Sequence, residues 1–348
     1  MATDGGAAFA AYLEQKKPQV EDFLARFTPR PEDGTAHVAA DLTRYLYEPL
    51  ARFTSGGGKR TRPVLCLLGS QAVGTDPICA LSTAAALEYF QSSALIHDDI
   101  ADKSELRRGV PCLHMQEGIG IGINVGDLAL VNVHAGLLAD TSLENETCLR
   151  LLCELAYMQQ RTLEGQALDL GWVRDGRWDV TVDDYLFMAS HKTAYYTAAT
   201  PLACGAICGN GDDAQIEALF SFGLDAGLAF QLQDDLLNLV GDPAKQGKDY
   251  RSDITEGKRT LLAVWALEHL QADKRDELQR LLTSGTTNQD ELARAVALID
   301  EAGGIEHVRT YAHELSERAK AHLDGVEIDS QARTVLDSMA DFFVERLG

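Results

Sequence analysis

Apolar residues recur at spacings of three and four along most of the chain, and runs of alternating β-branched residues are nearly absent. That pattern builds helix faces rather than strands, and the abundance of Ala and Leu acts in the same direction. The spacing predicts long helices over 80–98, 145–170, 213–240, 258–283 and 331–347. Clusters of Gly, Pro, Asp and Thr near 54–58, 109–111, 171–180, 241–252 and 284–288 predict the connections. No repeat with a period of roughly 20 to 50 residues, no low-complexity tract and no break in composition divides the chain. The expected architecture is all-α, a single large helical bundle spanning 1–348 as one domain.

Composition narrows the function classes. At 348 residues, 45% hydrophobic and 24% charged, the chain can bury a large core and has no signature of disorder. Lys and Arg number 31 against 53 Asp and Glu, a net charge of −22, which repels a phosphate backbone and argues against nucleic acid as a partner. In so acidic a chain, any local gathering of Lys and Arg needs its own explanation. The N-terminal residues show no basic segment followed by a long apolar run, so a cytoplasmic protein without a secretory signal is expected. No uninterrupted apolar run reaches the roughly 18 to 20 residues that span a bilayer; the apolar segment near Ala198–Cys208 is short and contains Pro201. The seven cysteines lie scattered in apolar segments without paired His or a repeated C-x-x-C, which predicts buried free thiols rather than a zinc site or disulfides.

The sharpest chemical feature closes the first long helix: Leu95-Ile96-His97-Asp98-Asp99-Ile100-Ala101-Asp102. Asp98 and Asp102 are four apart, so they share one face about one turn from each other. Carboxylates at a helix C-terminus repel one another and oppose the dipole unless a cation sits among them. Oxygen-only ligands on a rigid helix suit Mg²⁺, which keeps several waters and shares substrate phosphates. A second acidic helix end occurs at Gln231-Leu232-Gln233-Asp234-Asp235-Leu236-Leu237-Asn238. Two such ends on separate helices can face one another across a bundle and hold metal ions, provided that the cavity between is apolar and dry.

Basic groups accompany these acids. Gly56-Gly57-Gly58-Lys59-Arg60-Thr61-Arg62 offers three cations in four residues after a flexible turn, without the glycine spacing of a P-loop. Arg107-Arg108 follow Asp102, Lys192-Thr193 lie in a helical stretch, and Lys248 and Lys258 flank Ser252-Asp253-Ile254. Any one cation beside acids is an ordinary surface ion pair; taken together they suit two diphosphates, one on metal ions and one on basic side chains alone. Such a site supports ionisation of an allylic diphosphate, because metal and cations neutralise the charge that develops on the leaving oxygen. A neighbouring alkene in an apolar cavity then attacks the carbocation before water can.

These motifs, in this order over roughly residues 40–270, resemble the trans-isoprenyl diphosphate synthase (polyprenyl synthetase) family. The resemblance implies an isoprenoid-synthase bundle around a central apolar cavity, catalysing condensation of isopentenyl diphosphate with an allylic diphosphate. It implies three magnesium ions shared with the allylic diphosphate and ligated by Asp98, Asp102 and Asp234, with Asp99, Asp235 and Lys192 also catalytic. It assigns Lys59, Arg62, Gln91 and Arg108 to isopentenyl diphosphate, and Arg107, Lys192, Thr193, Gln231, Lys248 and Lys258 to the allylic diphosphate. A homodimer is implied as well. Two departures stand out: Asn238 closes the second acidic motif where the family usually has Asp, and Arg251 replaces a common Gly before Ser252-Asp253.

Within that family, product length is expected to follow from the helix before Asp98. Ser93 and Ala94 are small, and Phe90, about one turn deeper, is the expected floor of the tail cavity. A geranylgeranyl product is expected over farnesyl or a longer chain. A terpene cyclase or head-to-head synthase has no need for the Gly-Gly-Lys-Arg segment together with Arg107-Arg108. A non-catalytic regulatory subunit of a heteromeric synthase has Asn238 in its favour and the intact Asp98, Asp99 and Asp102 against it.

Overall fold

The computed structural model describes residues 5–27, 29–242 and 250–345. Helix dominates, as the periodicity requires, and among the described residues the one sheet is a hairpin of Leu106–Arg107 with Val110–Pro111. The chain divides into two compact units, one formed by Tyr12–Glu154 with Pro201–Asp212, the other by Met1–Ala11, Leu155–Thr200 and Asp213–Gly348.

In the Tyr12–Glu154 unit the Leu81–Ala101 helix is the centre. Its Thr83, Ala84, Ala85, Ala86 and Leu87 are all buried, and a helix apolar all round belongs inside. It packs on Thr61–Ala72 and on Ile119–Leu138. It runs three residues past the expected end, so that Asp98 and Asp99 are helical and Asp102 is its C-cap. Gly69 and Gly205 let the Thr61–Ala72 helix meet the Pro201–Asp212 segment backbone to backbone: a Cβ on Gly69 would strike the Leu202 carbonyl, and one on Gly205 the Cys66 carbonyl. Cys66, Cys112, Cys204 and Cys208 are buried thiols outside any disulfide, as expected, whereas Cys79 and Cys148 are half-buried and Cys153 is exposed.

The Ile119–Leu138 helix holds no uninterrupted apolar run of membrane-spanning length, yet its length and mean composition come near one. Its 20 residues have a mean hydropathy of 1.4 over 18 residues, long and apolar enough by length and composition to cross a bilayer, with 33% of that window buried. Asn124, Asp127, Asn132 and His134 interrupt the run, which is why a search for uninterrupted apolar residues passes over it.

In the other unit the Asp213–Val240 helix, bounded as predicted, packs on a π-helical stretch, Ser190–Ala199, and on the Gly304–Ala321 and Ser330–Glu345 helices. Gly223 and Gly227, one turn apart, lie against the backbone of Ala199 and Ala194; an added Cβ would stand 2.6 Å and 2.8 Å from their Cα atoms. Around them Tyr185, Leu228, Leu232, Leu262, Leu298 and Leu315 belong to one buried cluster. The single helix expected over 258–283 is two, Leu261–His269 and Ala272–Thr283. Leu270 and Gln271 are extended, with ψ of 149° and 154°, because burying both the first helix and Leu278 requires a change of direction that periodicity does not record. Lys258 consequently precedes the helix, whose N-cap is Thr260.

The glycine crossing yields a test of the packing. Gly205→Ala pushes a methyl group into a carbonyl that has no room to withdraw, and overpacking of this kind costs about 3 kcal/mol; denaturant unfolding of the variant should show a lower midpoint at unchanged m-value.

Candidate active site

In the Tyr12–Glu154 unit the acids close the central helix as the spacing predicts. The Asp102 N–H donates to the Asp98 carbonyl at 2.8 Å, so the two side chains stand one helical turn apart and both are half-buried. Asp99 faces inward, 1% exposed, and accepts a fork from Arg107: Nε at 2.9 Å and 2.8 Å from its two oxygens and Nη2 at 2.7 Å from Oδ1. Burial disfavours the Arg107 cation, and Asp99 more than offsets this, raising Arg107 above its ordinary value.

Arg107 comes from the hairpin, where it pairs with Val110. The two-residue turn between them, Arg108-Gly109, has φ of +53° and +79°, as a type I′ turn demands. The turn thus imposes a left-handed backbone on Arg108, whose Nη1 donates to the Gly57 carbonyl. Gly58 leaves the space: its Cβ would lie 3.1 Å from the Arg108 Nη2. Two residues on, Arg60 is also left-handed, φ +54°. Its guanidinium is buried on Glu88 of the central helix, and Nη2 donates to the Thr54 carbonyl at 2.6 Å. Arg60 is therefore the anchor of this segment, while Lys59 is exposed and Arg62 half-buried on either side of it. Burial lowers Arg108 from its ordinary value, and Arg60, Arg107 and Arg62 push the same way against the single carboxylate of Glu88. Cations gathered in this way await an anion.

Phe90 and Ser93 are buried, and Gln91 and Ala94 half-buried, along the same continuous helix. Phe90, Ala94, Asp98 and Asp102 follow one another at intervals of four, which keeps them on a slowly drifting stripe.

The second unit brings together Lys192, Thr193, Gln231, Asp235 and Lys258 around one cavity of about 90 Å³. Thr193 donates to Gln231 Oε1 at 2.7 Å, Gln231 Nε2 donates to Asp235 Oδ1 at 2.7 Å, and Tyr185 donates to Asp235 Oδ2 at 2.6 Å. The second acid of this pair is thus turned into the protein, as Asp99 is in the first. Burial pushes the Asp235 carboxyl up to about 7, against the pull of Tyr185 and Gln231; Asp234 beside it is half-buried. Lys192 and Lys258 converge on one carboxylate, Asp169, with Nζ to Oδ2 distances of 2.5 Å and 3.2 Å. Burial raises Asp169, yet the two ammonium groups more than offset it and hold it below the usual carboxylate value. Arg259 locks the turn that presents Lys258: it donates to the carbonyls of Arg177, at 2.6 Å, and Gly257, and stacks 3.9 Å from the Trp178 ring centre.

Both departures noted in the sequence have physical accounts here. Asn238 Nδ2 donates to Ser252 Oγ at 3.0 Å and its Oδ1 accepts from the Asp253 N–H at 3.3 Å, so its amide holds the following turn. Arg251 takes φ +62°, a conformation that favours Gly. Lys248 lies outside the described residues.

Sequence reasoning missed Asp169, Tyr185 and Glu88. Asp169 did leave a signal: Leu155, Met158, Thr162, Gly165 and Asp169 alternate by three and four and are all buried, so an acid stands on the apolar stripe of its helix. Gly165 serves the same contact, since a Cβ there would strike the Lys192 N–H and lie 2.6 Å from its Cα. As for metal, no three or more His, Cys, Asp or Glu among the described residues form a ready cage. Asp98 and Asp102 fit Mg²⁺ nonetheless, as two hard oxygen donors one turn apart whose ion would complete its shell with water and substrate phosphate.

Comparison with known proteins agrees with this chemistry. The polyprenyl synthetase family model matches residues 43–299. The chain is 36% identical over 329 residues to a short chain isoprenyl diphosphate synthase of Methanothermobacter thermautotrophicus, covering 94% of this chain and 99% of that one. It is 35% identical over 317 residues to a geranylfarnesyl diphosphate synthase of Natronomonas pharaonis, covering 86% and 90%. Among solved structures, geranylgeranyl pyrophosphate synthase from Corynebacterium glutamicum, in complex with isoprenyl diphosphate and magnesium, superposes with a TM-score of 0.82 at 31% identity, covering 98% and 97%.

Asp169→Asn should separate clamping from mere packing. Two partly buried ammonium groups then lose the carboxylate that they share, Lys258 keeping Glu256 at 3.6 Å, a loss of about 2 to 4 kcal/mol after allowance for solvent screening, read by chemical unfolding. Because the folded-state pKa of Asp169 is depressed, its contribution is present above the unfolded value near ~4 and lost as pH falls. The stability gap between wild type and Asp169→Asn should therefore close in acid.

Proposed function

We propose, for a chain that belongs to the polyprenyl synthetase family and is a short-chain trans-prenyltransferase, that it condenses isopentenyl diphosphate with dimethylallyl, geranyl or farnesyl diphosphate and releases mainly geranylgeranyl diphosphate. The observation that carries the elongating reaction is the gathering of Arg62, Arg107 and Arg108 around the buried Arg60–Glu88 pair, with Lys59 next to Arg60 in the chain. An enzyme that only ionises one diphosphate has no use for a second, metal-free anion site.

Asp98, Asp102 and Asp234 are assigned to magnesium, three ions in all. When bound with the allylic diphosphate, magnesium supplies Lewis-acid neutralisation of the leaving oxygens. Arg107, held in place by Asp99, orients on the allylic diphosphate. Lys192 and Lys258, held by Asp169, and Thr193 and Gln231 serve the same group. Asp235 keeps Gln231 aligned, and Lys248 is assigned here by resemblance alone. As the carbon–oxygen bond breaks, its electron pair goes to the diphosphate, where these cations stabilise it. Lys59, Arg62, Gln91 and Arg108 hold isopentenyl diphosphate with its alkene toward the carbocation. The new carbon–carbon bond forms from that alkene, and the departed diphosphate takes the proton lost next.

Phe90 is assigned as the floor of the tail cavity, with Ser93 and Ala94 leaving the chain room to reach it. The relative named as a geranylfarnesyl synthase supports a second reading, in which the product is one isoprene unit longer. The free cysteines fit the reducing cytoplasm.

The chain is further assigned as a homodimer through the Ile119–Leu138 helix. Ile119, Ile123, Val131 and Leu138 are 58%, 43%, 60% and 69% exposed and fall within an arc of about 120°, a mainly apolar stripe, crossed by the exposed Asp127, that a second copy would cover.

Mass spectrometry of products from a primer series tests the assignment: wild type should stop at twenty carbons and Phe90→Ala should extend further, whereas an unchanged length removes Phe90 as the floor. Sedimentation should show a dimer for the wild type and a folded monomer for Val131→Glu.

A further inference from the structure

Beside the hairpin, on the Tyr12–Glu154 unit, lies a cavity of about 540 Å³ to which nothing above gives a use. Arg52, Arg107 and Arg108 stand on its wall together with Phe53, Val110 and Leu113, and no carboxylate lines it. Lys59 and Arg62 are not on this wall, so the cavity is not the cradle assigned to isopentenyl diphosphate, although the two share Arg108. In a chain of net charge −22, three guanidinium groups around one hollow run against the average and repel one another.

Each arginine is anchored at one edge, Arg107 on Asp99, Arg108 on the Gly57 carbonyl and Arg52 on Glu117, with Nη2 at 2.5 Å from Oε1. Guanidinium forks held in this way match phosphate oxygens. An inorganic anion would not need the apolar wall, and a hydrocarbon would not need the arginines. The volume falls within the ~300 to 1,000 Å³ range of small-molecule sites, which are mostly apolar with a few placed polar groups.

We propose that this cavity binds an amphiphilic anion, a phosphate or diphosphate ester of a hydrocarbon, with Arg52 as the arginine specific to it. The ligand's head meets Arg52, Arg108 and Arg107, and its hydrocarbon lies on Phe53, Val110 and Leu113. Two sources share this chemistry, the prenyl diphosphates of the enzyme itself and phosphorylated lipids. Resting on the role given to Arg108 above, occupation of the cavity would weaken isopentenyl diphosphate binding competitively.

The test uses the full chain in EDTA, which silences metal-dependent diphosphate binding, with calorimetric titration of geranylgeranyl diphosphate, dodecyl phosphate and inorganic diphosphate. Arg52→Ala should weaken geranylgeranyl diphosphate at least tenfold. Glu117→Gln, which frees Arg52 from its carboxylate, should tighten it severalfold, a gain that misfolding cannot produce. Inorganic diphosphate should bind at least tenfold more weakly than geranylgeranyl diphosphate. A preference for the prenyl ester over dodecyl phosphate assigns the site to the enzyme's own products, and the reverse order assigns it to a lipid. Equal affinity of wild type and both variants, or no binding in EDTA, overturns the proposal. Elongation assays with magnesium run in parallel report on the reaction itself: both variants should keep the wild-type KM for isopentenyl diphosphate, and a wild type that elongates nothing would refute the functional reading while leaving this binding result intact.

Discussion

Several of the cations around the proposed site are pinned by a buried acid. Asp169 holds both Lys192 and Lys258, Asp99 holds Arg107, and Glu88 holds Arg60. Long basic side chains lose much rotamer freedom when ordered, and a diphosphate that had to order them at each encounter would bind less well. Anchoring them in the folded protein moves that cost into folding. Buried charge pairs contribute little net stability once desolvation is counted, so their value here lies in geometry.

The same division of labour appears within the acidic pairs. Asp99 and Asp235 are fully buried and satisfied by Arg107 and by Tyr185 with Gln231, while their neighbours Asp98 and Asp234 are half-buried. Adjacent residues on a helix point about 100° apart, so one of two consecutive acids can anchor protein while the other meets a ligand. Glycine supplies the remaining precision. Gly165 brings its helix against the Lys192 backbone, Gly58 admits the Arg108 guanidinium, and Gly227 seats the Asp213–Val240 helix on Ala194. None of these contacts tolerates a methyl group without a shift in the groups they position.

Helix content, the long central helices, the two acidic helix ends and the cationic segment after Gly58 were all legible, because each is a local pattern of spacing and composition. Three kinds of feature were not. The break at Leu270-Gln271 sits in an apolar, helix-compatible stretch, and only the direction of the neighbouring helices requires it. The Ile119–Leu138 helix is apolar in the mean but interrupted residue by residue. Asp169 reaches its lysines across 23 and 89 residues of sequence, a separation at which local pattern carries no information about contact.

By itself the sequence determined which elements form and which side chains carry charge, because helix periodicity and a carboxylate's affinity for hard cations are properties of short segments. Tertiary structure alone decided the partners: that Arg60 is a buried anchor while Lys59 and Arg62 flank it, that Asn238 serves a turn, and that one carboxylate serves two lysines. Those outcomes depend on which backbones approach closely enough to share a dry interior, and that is set by packing between distant segments.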